Sequence, residues 1–173
     1  MERRYCVALL DRTHDRATFS CGVAELDRYL QAQARQDQEK HRVAAVYVLL
    51  AEDDRTILGY YTLSSAGVEP TELAPEISRR LPRYPTLPVI LLGRLALDRR
   101  VQGQGVGGRL LGDALTRALS LSSQIGTLAV VVQAKGDDAR RFYERYGFQR
   151  FTSRPDHLYL MMKTIAEGLS ATG

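Results

Sequence analysis

Apolar and polar positions alternate along this chain in a sequence of short strand-like runs broken by three helical patterns. Tyr5–Leu10 predicts a first strand. Ser20-Cys21-Gly22 can start an amphipathic helix with Val23, Leu26, Leu30 and Ala34 on one face. Its opposite face carries Arg28, Arg35, Asp37 and Glu39, a solvated surface. Val43–Ala51 and Ile57–Ser64 are β-rich and joined by Glu52-Asp53-Asp54-Arg55, which predicts a hairpin. Residues 70–88 hold Pro70, Pro75, Pro82, Pro85 and Pro88, so they form neither a long helix nor a central strand. A stiff connection with one helical turn around Glu76–Arg80 is expected there. Val89–Leu97 predicts the next strand, and Val106–Leu119 a helix with Leu110, Leu111, Ala114, Leu115 and Ala118 at helical spacing. Leu128–Val132 is an apolar run typical of a strand covered on both faces. Asp137 or Asp138 can cap a short helix through Tyr146, stopped by Gly147. Phe148–Thr152 and His157–Lys163 predict a closing hairpin, and Glu167–Gly173 a frayed tail. The order implies an α/β protein with a mixed sheet, one domain over residues 1–166, no internal repeat and no second core.

Composition narrows the class. A chain of 173 residues, 45% hydrophobic, can bury one core well and is short for two domains. No apolar run approaches the ~20 residues of a membrane span, and Met1-Glu2-Arg3-Arg4 opens no signal peptide. Cys6 and Cys21 make neither a disulfide framework nor a metal-ligand spacing, so no metal is expected. A cytoplasmic protein follows. Net charge is +4, and the only lysines are Lys40, Lys135 and Lys163, so arginine supplies nearly all the positive charge. Two readings stand: a GC-rich genome, or a polyanionic partner suited to arginine's planar fork.

The candidate chemistry begins at Val101–Leu111, Val-Gln-Gly-Gln-Gly-Val-Gly-Gly-Arg-Leu-Leu, between the strand and the long helix. Closely spaced glycines at such a junction leave backbone N–H groups uncovered at the positive end of a helix dipole, a seat for phosphate. A tight turn that is merely glycine-rich has the same appearance. Two nucleotide motifs fit poorly: Gly108-Arg109 lacks the Lys and Ser/Thr of a P-loop. A dinucleotide fingerprint would want an acidic residue about 20 positions on, where the apolar run Leu128–Val132 lies.

The spacing Gln-x-x-Gly-x-Gly of Gln102, Gly105 and Gly107 resembles the pyrophosphate loop of the GNAT acetyltransferases. Phe142-Tyr143-Glu144-Arg145-Tyr146-Gly147-Phe148 resembles that family's Phe-Tyr-x-x-x-Gly-Phe signature. Phe19–Gly22, Gly59–Leu63, Leu81–Pro85 and Gly93–Asp98 narrow the resemblance to the tRNA-acetylating toxins of bacterial toxin–antitoxin pairs. The resemblance implies a GNAT fold, with a central mixed, mostly antiparallel sheet splayed at the acetyl-CoA site. It implies that Gln102, Gly103, Gln104, Gly105, Val106, Gly107 and Gly108 cradle the pyrophosphate of acetyl-CoA. It implies that the backbone of Leu95, Ala96 and Leu97 pairs with the pantetheine arm beside Phe142. The Leu97 N–H would then face the thioester oxygen as negative charge grows there. Many members carry Asn where this chain has Gly136, so that secondary contact is not carried over.

By the same resemblance Tyr143 is the general acid, since a phenol with pKa ~10 is protonated at neutral pH and can supply the leaving thiolate. Tyr146 falls on a similar face and is expected to pack. His14, His41 and His157 lie outside the motifs, so no general base announces itself. A lysine amine (pKa ~10.4) needs a base, whereas an α-amine near ~7.7–8.0, lowered further by an adjacent ester, does not. That chemistry, with the resemblance, points to the α-amine of aminoacyl-tRNA. Arg79, Arg80, Arg83, Arg140 and Arg141 are candidate tRNA contacts. Arg99, Arg100 and Lys135 lie nearer the loop and suit the phosphates of the coenzyme. A ribbon-helix-helix antitoxin and a homodimer are implied by the resemblance alone. The alternatives are a GNAT enzyme acting on a protein or small-molecule amine, and a silent GNAT module that only binds.

Overall fold

The computed structural model describes residues 4–172, with side chains through Ser170; Met1–Arg3 and Gly173 lie outside the described residues. The chain forms two compact units, residues 1–64 with 93–114 and residues 65–92 with 115–173. In the first unit β1 (Cys6–Leu9), β2 (Ala45–Leu50) and β3 (Ile57–Val68) form an antiparallel meander. Ala8 faces Val48, which faces Tyr60. The predicted β2–β3 hairpin is closed by Asp53, whose carboxylate accepts from the backbone of Arg55 and Thr56 and from the Thr56 hydroxyl. Next to β3 comes β4 (Leu87–Leu97).

The first helical pattern is one continuous rod with irregular pitch. α1 (Ala24–Arg28) passes into wide π-turns at Tyr29–Gln33 and again at Gln36–Lys40. Each wide turn rotates the apolar face relative to a 3.6-residue period. Leu30 and Ala34 are buried as expected, but Val23 is 51% exposed and precedes the helix, while Tyr29 takes an inner place. This unit's core joins Leu10, Phe19, Leu30, Val46, Ile57 and Tyr60.

In the second unit β4 pairs parallel with β5 (Ala129–Gln133) over three residues, Ile90↔Val130 to Leu92↔Val132. β7 (His157–Met161) lies antiparallel to β5, and the two-residue β6 (Gln149–Arg150) lies outside it. Leu73, Leu87, Val89, Val131, Phe151 and Tyr159 form this unit's core. α2 (Pro75–Ser78) is the single turn foreseen among the prolines. α3 (Val106–Ser122) begins in the first unit and ends in the second. α4 (Asp137–Arg145) and α5 (Met162–Thr172) complete the set.

Several expectations are corrected. Where no second core was expected, the described residues include a separate buried apolar cluster in each unit. β4 starts at Leu87 and includes Pro88, which lacks a donor but accepts from the Leu128 N–H. Gly136, at φ 95°, is the N-cap of α4; Asp137 is its first residue and pairs with Arg140 instead of capping. Met162 and Lys163 leave the hairpin for α5, and residues 167–172 continue that helix where a frayed tail was expected. Met162 and Ile165 are buried, whereas Glu167–Ser170 are exposed, so the end of α5 carries no buried stripe to read from sequence. Among the described residues no helix is long and apolar enough to cross a membrane.

Candidate active site

In the first unit the glycine loop is braced from behind by a buried carboxylate. Asp98, 2% exposed, directly follows β4. Its backbone N–H donates to the Leu58 carbonyl at 2.9 Å. Its side chain accepts from the Ser20 N–H (3.0 Å), the Arg100 N–H (3.0 Å) and the Arg100 guanidinium (2.7 and 2.9 Å). Burial alone would raise its pKa, but these donors outweigh it and hold the carboxyl below its ordinary value. Arg100 is therefore committed to Asp98. The Gln102 amide is committed too, donating to the carbonyls of Leu97 and Cys21, both at 2.8 Å. The side chain of Gln102 thus shapes the loop, leaving its backbone to face a ligand.

Past this brace the chain turns through Gly103 (φ 74°) and Gly105 (φ 76°), a left-handed conformation that favours glycine. A Cβ at either position would meet nothing within 4 Å, so open space lies over the loop. Val106 is buried and starts α3, with Gly107 and Gly108 in its first turn. Exposed backbone before a 17-residue helix fits a phosphate group. Just upstream, Ala96 is buried in the core while Leu95 and Leu97 are half-buried. Gly59 of β3 lets this end of β4 approach: a Cβ there would lie 3.0 Å from Leu97 Cδ2 and 3.1 Å from the Ala96 carbonyl.

In the second unit α4 carries an aromatic cluster. Phe142 meets Tyr143 and Tyr146 edge-on, each at 5.2 Å, and Tyr143 meets Phe148 at 5.3 Å. Tyr143 is 7% exposed, and burial alone pushes its phenol up to about 12. Tyr146, expected to be the packing residue, is instead 45% exposed. Tyr143 takes the buried place because Gly147 (φ 92°) ends the helix and folds Phe148 back onto it.

The candidate arginines divide into free and engaged. Arg79, Arg80 and Arg83 are exposed on the proline-rich segment, beside Tyr84 at 62% exposure; only Arg79 is tied back, to the Pro75 carbonyl. Arg140 lies between Asp137 (2.7 Å) and Glu144 (3.9 Å) of its own helix, and Arg141 faces Asp138 at 3.5 Å. His14 is buried and accepts from the Asp11 N–H, while His157 pairs with Asp156. Among the described residues no group of three His, Cys, Asp or Glu could hold a metal.

A family model described as Acetyltransferase (GNAT) family matches residues 10–148. The chain belongs to this family. GNAT enzymes take their acyl group from acetyl-CoA, and the open loop before α3 suits that coenzyme's pyrophosphate. A tRNA-acetylating toxin of Mycobacterium tuberculosis is 36% identical over 149 residues, 86% of this chain and 87% of that protein. The structure of AtaT complexed with acetyl-methionyl-tRNAfMet superposes with a TM-score of 0.88 at 29% identity, covering 96% of this chain and 99% of the other. An AtaT mutant toxin bound to the C-terminus of the antitoxin AtaR and acetyl-CoA gives 0.80 at 28% identity, covering 96% and 98%.

Within this GNAT chain, sequence reasoning missed the Ser20–Asp98–Arg100 brace and the close approach at Gly59. Asp98 and Gly59 both stood inside quoted motifs. Their partners are distant in sequence, so no local spacing could assign the roles.

Proposed function

We propose that this enzyme transfers acetyl from acetyl-CoA to the α-amine of aminoacyl-tRNA, removing the nucleophile of peptide-bond formation and so blocking translation. The similarity to a tRNA-acetylating toxin over 86% of the chain carries this reading. The chain's own chemistry supports it. Backbone N–H groups of Gln102–Gly108 hold the pyrophosphate, the backbone of Leu95–Leu97 orients the arm, and Phe142 is a further coenzyme contact. Tyr143 gives its proton to the departing sulfur. An α-amine beside an ester is appreciably neutral at pH 7 and reaches the reaction without a protein base.

Incubating the protein with labelled acetyl-CoA and total charged tRNA tests the reading. Label appears on charged tRNA, and alkaline hydrolysis releases an N-acetyl amino acid; uncharged tRNA stays unlabelled. Label on protein lysines alone would replace this substrate with a protein amine. The exposed Arg79, Arg80 and Arg83 give the clearest RNA contact, with Arg140 and Arg141 contributing once their helix carboxylates yield. Replacing the first three together by Ala weakens tRNA binding and flattens its salt dependence by up to about three contacts' worth of slope. A binding titration at several salt concentrations measures it.

The same reading includes a cytoplasmic homodimer neutralised by a ribbon-helix-helix antitoxin, whose acidic segment would cover the arginine-rich surface. Coexpressing the neighbouring reading frame is expected to form a complex and relieve growth arrest. Copurification and a growth curve decide it; a neighbour that does neither is not the partner.

A further inference from the structure

One guanidinium beside the proposed acyl-transfer strand is held in place without any anion to hold it. Arg94, in β4 immediately before Leu95, is half-buried, with its Cζ 3.5 Å from the centroid of the Tyr29 ring. Tyr29 is itself fixed: its hydroxyl donates to Asp37 at 3.0 Å, and its ring stacks on Tyr60 at 6.2 Å. Stacking occupies the face of a guanidinium and leaves its edge, the planar fork of N–H donors, unsatisfied. Among the described residues no carboxylate or carbonyl accepts from that edge. Arg100 makes the contrast, since its fork is filled by Asp98. A half-buried cation oriented by an aromatic platform, rather than neutralised by a carboxylate, keeps its bidentate edge for a ligand.

We propose that Arg94 is an acceptor-binding residue that grips a phosphate of the RNA end carrying the aminoacyl ester. This rests on the aminoacyl-tRNA reading above. The coenzyme's phosphates are the other source of the same chemistry. Within the first unit, however, the phosphate loop follows the C-terminal end of β4, whereas Arg94 precedes the residues that pair with the arm. Arg94 therefore stands on the far side of Leu95–Leu97 from the loop, away from the seat proposed for the coenzyme's pyrophosphate.

The test compares two acceptors: a charged minihelix retaining its terminal phosphodiesters, and the aminoacyl ester of adenosine, which has none. Wild-type turnover of the minihelix tests the substrate reading by itself. Arg94→Ala is expected to raise KM for the minihelix by about 10–100-fold, the loss of a hydrogen-bonded charge contact. Its penalty on the phosphate-free ester is at least tenfold smaller. Arg94→Lys, which keeps charge but not the fork, falls between. Acetyl-CoA affinity by calorimetry stays within a few-fold. Should Arg94→Ala misfold, the wild-type protein still decides: the dinucleotide pCpA competes with the minihelix, and adenosine at equal concentration does not. Equal penalties on both acceptors, equal competition, or a loss confined to acetyl-CoA affinity would each overturn the assignment.

Discussion

Replacing Tyr143 by phenylalanine is expected to lower turnover by roughly 10²–10⁴ while acetyl-CoA binding stays near normal, the range of a lost general acid. The ring is 7% exposed and packs edge-on against Phe142 and Phe148, so phenylalanine preserves the packing and deletes only the donor. Burial lifts the phenol to about 12, so the proton stays on the oxygen throughout the neutral range. The pH profile of the wild-type enzyme follows from that direction. Rate rises with pH as the acceptor amine loses its proton and then levels. Burial keeps the Tyr143 proton in place across the whole range in which the aminoacyl ester survives, so this phenol adds no falling limb to the measured profile. Steady-state rates with charged tRNA, paired with calorimetry for acetyl-CoA, measure both parts. Wild-type turnover in the mutant would make Tyr143 a packing residue and assign the proton to water.

Gly105→Glu is expected to weaken acetyl-CoA binding by about 10²–10⁴, the loss of two hydrogen bonds to a charged group. It sets a carboxylate in the open space over the loop and disrupts N–H groups that would otherwise face a phosphate. The substitution also forces a side chain into φ 76°, costing about 1–2 kcal/mol of stability. Gly105→Ala carries the same backbone cost without the charge. Calorimetry on both variants, with a thermal melt for each, separates strain from repulsion. Unchanged affinity in a folded Gly105→Glu protein would remove the loop from the coenzyme site.

The residues that sequence made legible are those whose meaning is local. The glycines of 103–108 need only their neighbours to specify a turn into α3. Gly147 needs only the helix it ends. The hairpin at Asp53 is likewise a property of four consecutive residues. Illegible were the features that depend on distant partners. Val23 belonged to a 3.6-residue stripe, but the helix starts only at Ala24, so Val23 sits at its extended N-cap and is exposed. Tyr143 and Tyr146 look equivalent three residues apart; burial distinguishes them only after Phe148 folds back. Gln102 matched a ligand-binding pattern, yet its amide is consumed by Cys21, 81 residues earlier. The end of α5 escaped because Glu167, Gly168 and Ser170 are exposed and leave no apolar period to read.

The brace beneath the loop also limits how this protein can be cut or rewired. Ser20 and Cys21 hold the loop through Asp98 and Gln102, so its shape is a joint product of two remote stretches of chain. A fragment starting after Gly22 would keep every glycine of the motif and still lose the clamp that shapes them. Splitting the chain at the exposed Glu52–Arg55 turn leaves each stretch intact on its own piece. Reassembly of the two pieces would then restore the braced loop, which makes that turn the natural place to build a version of this enzyme expected to stay silent until its halves meet.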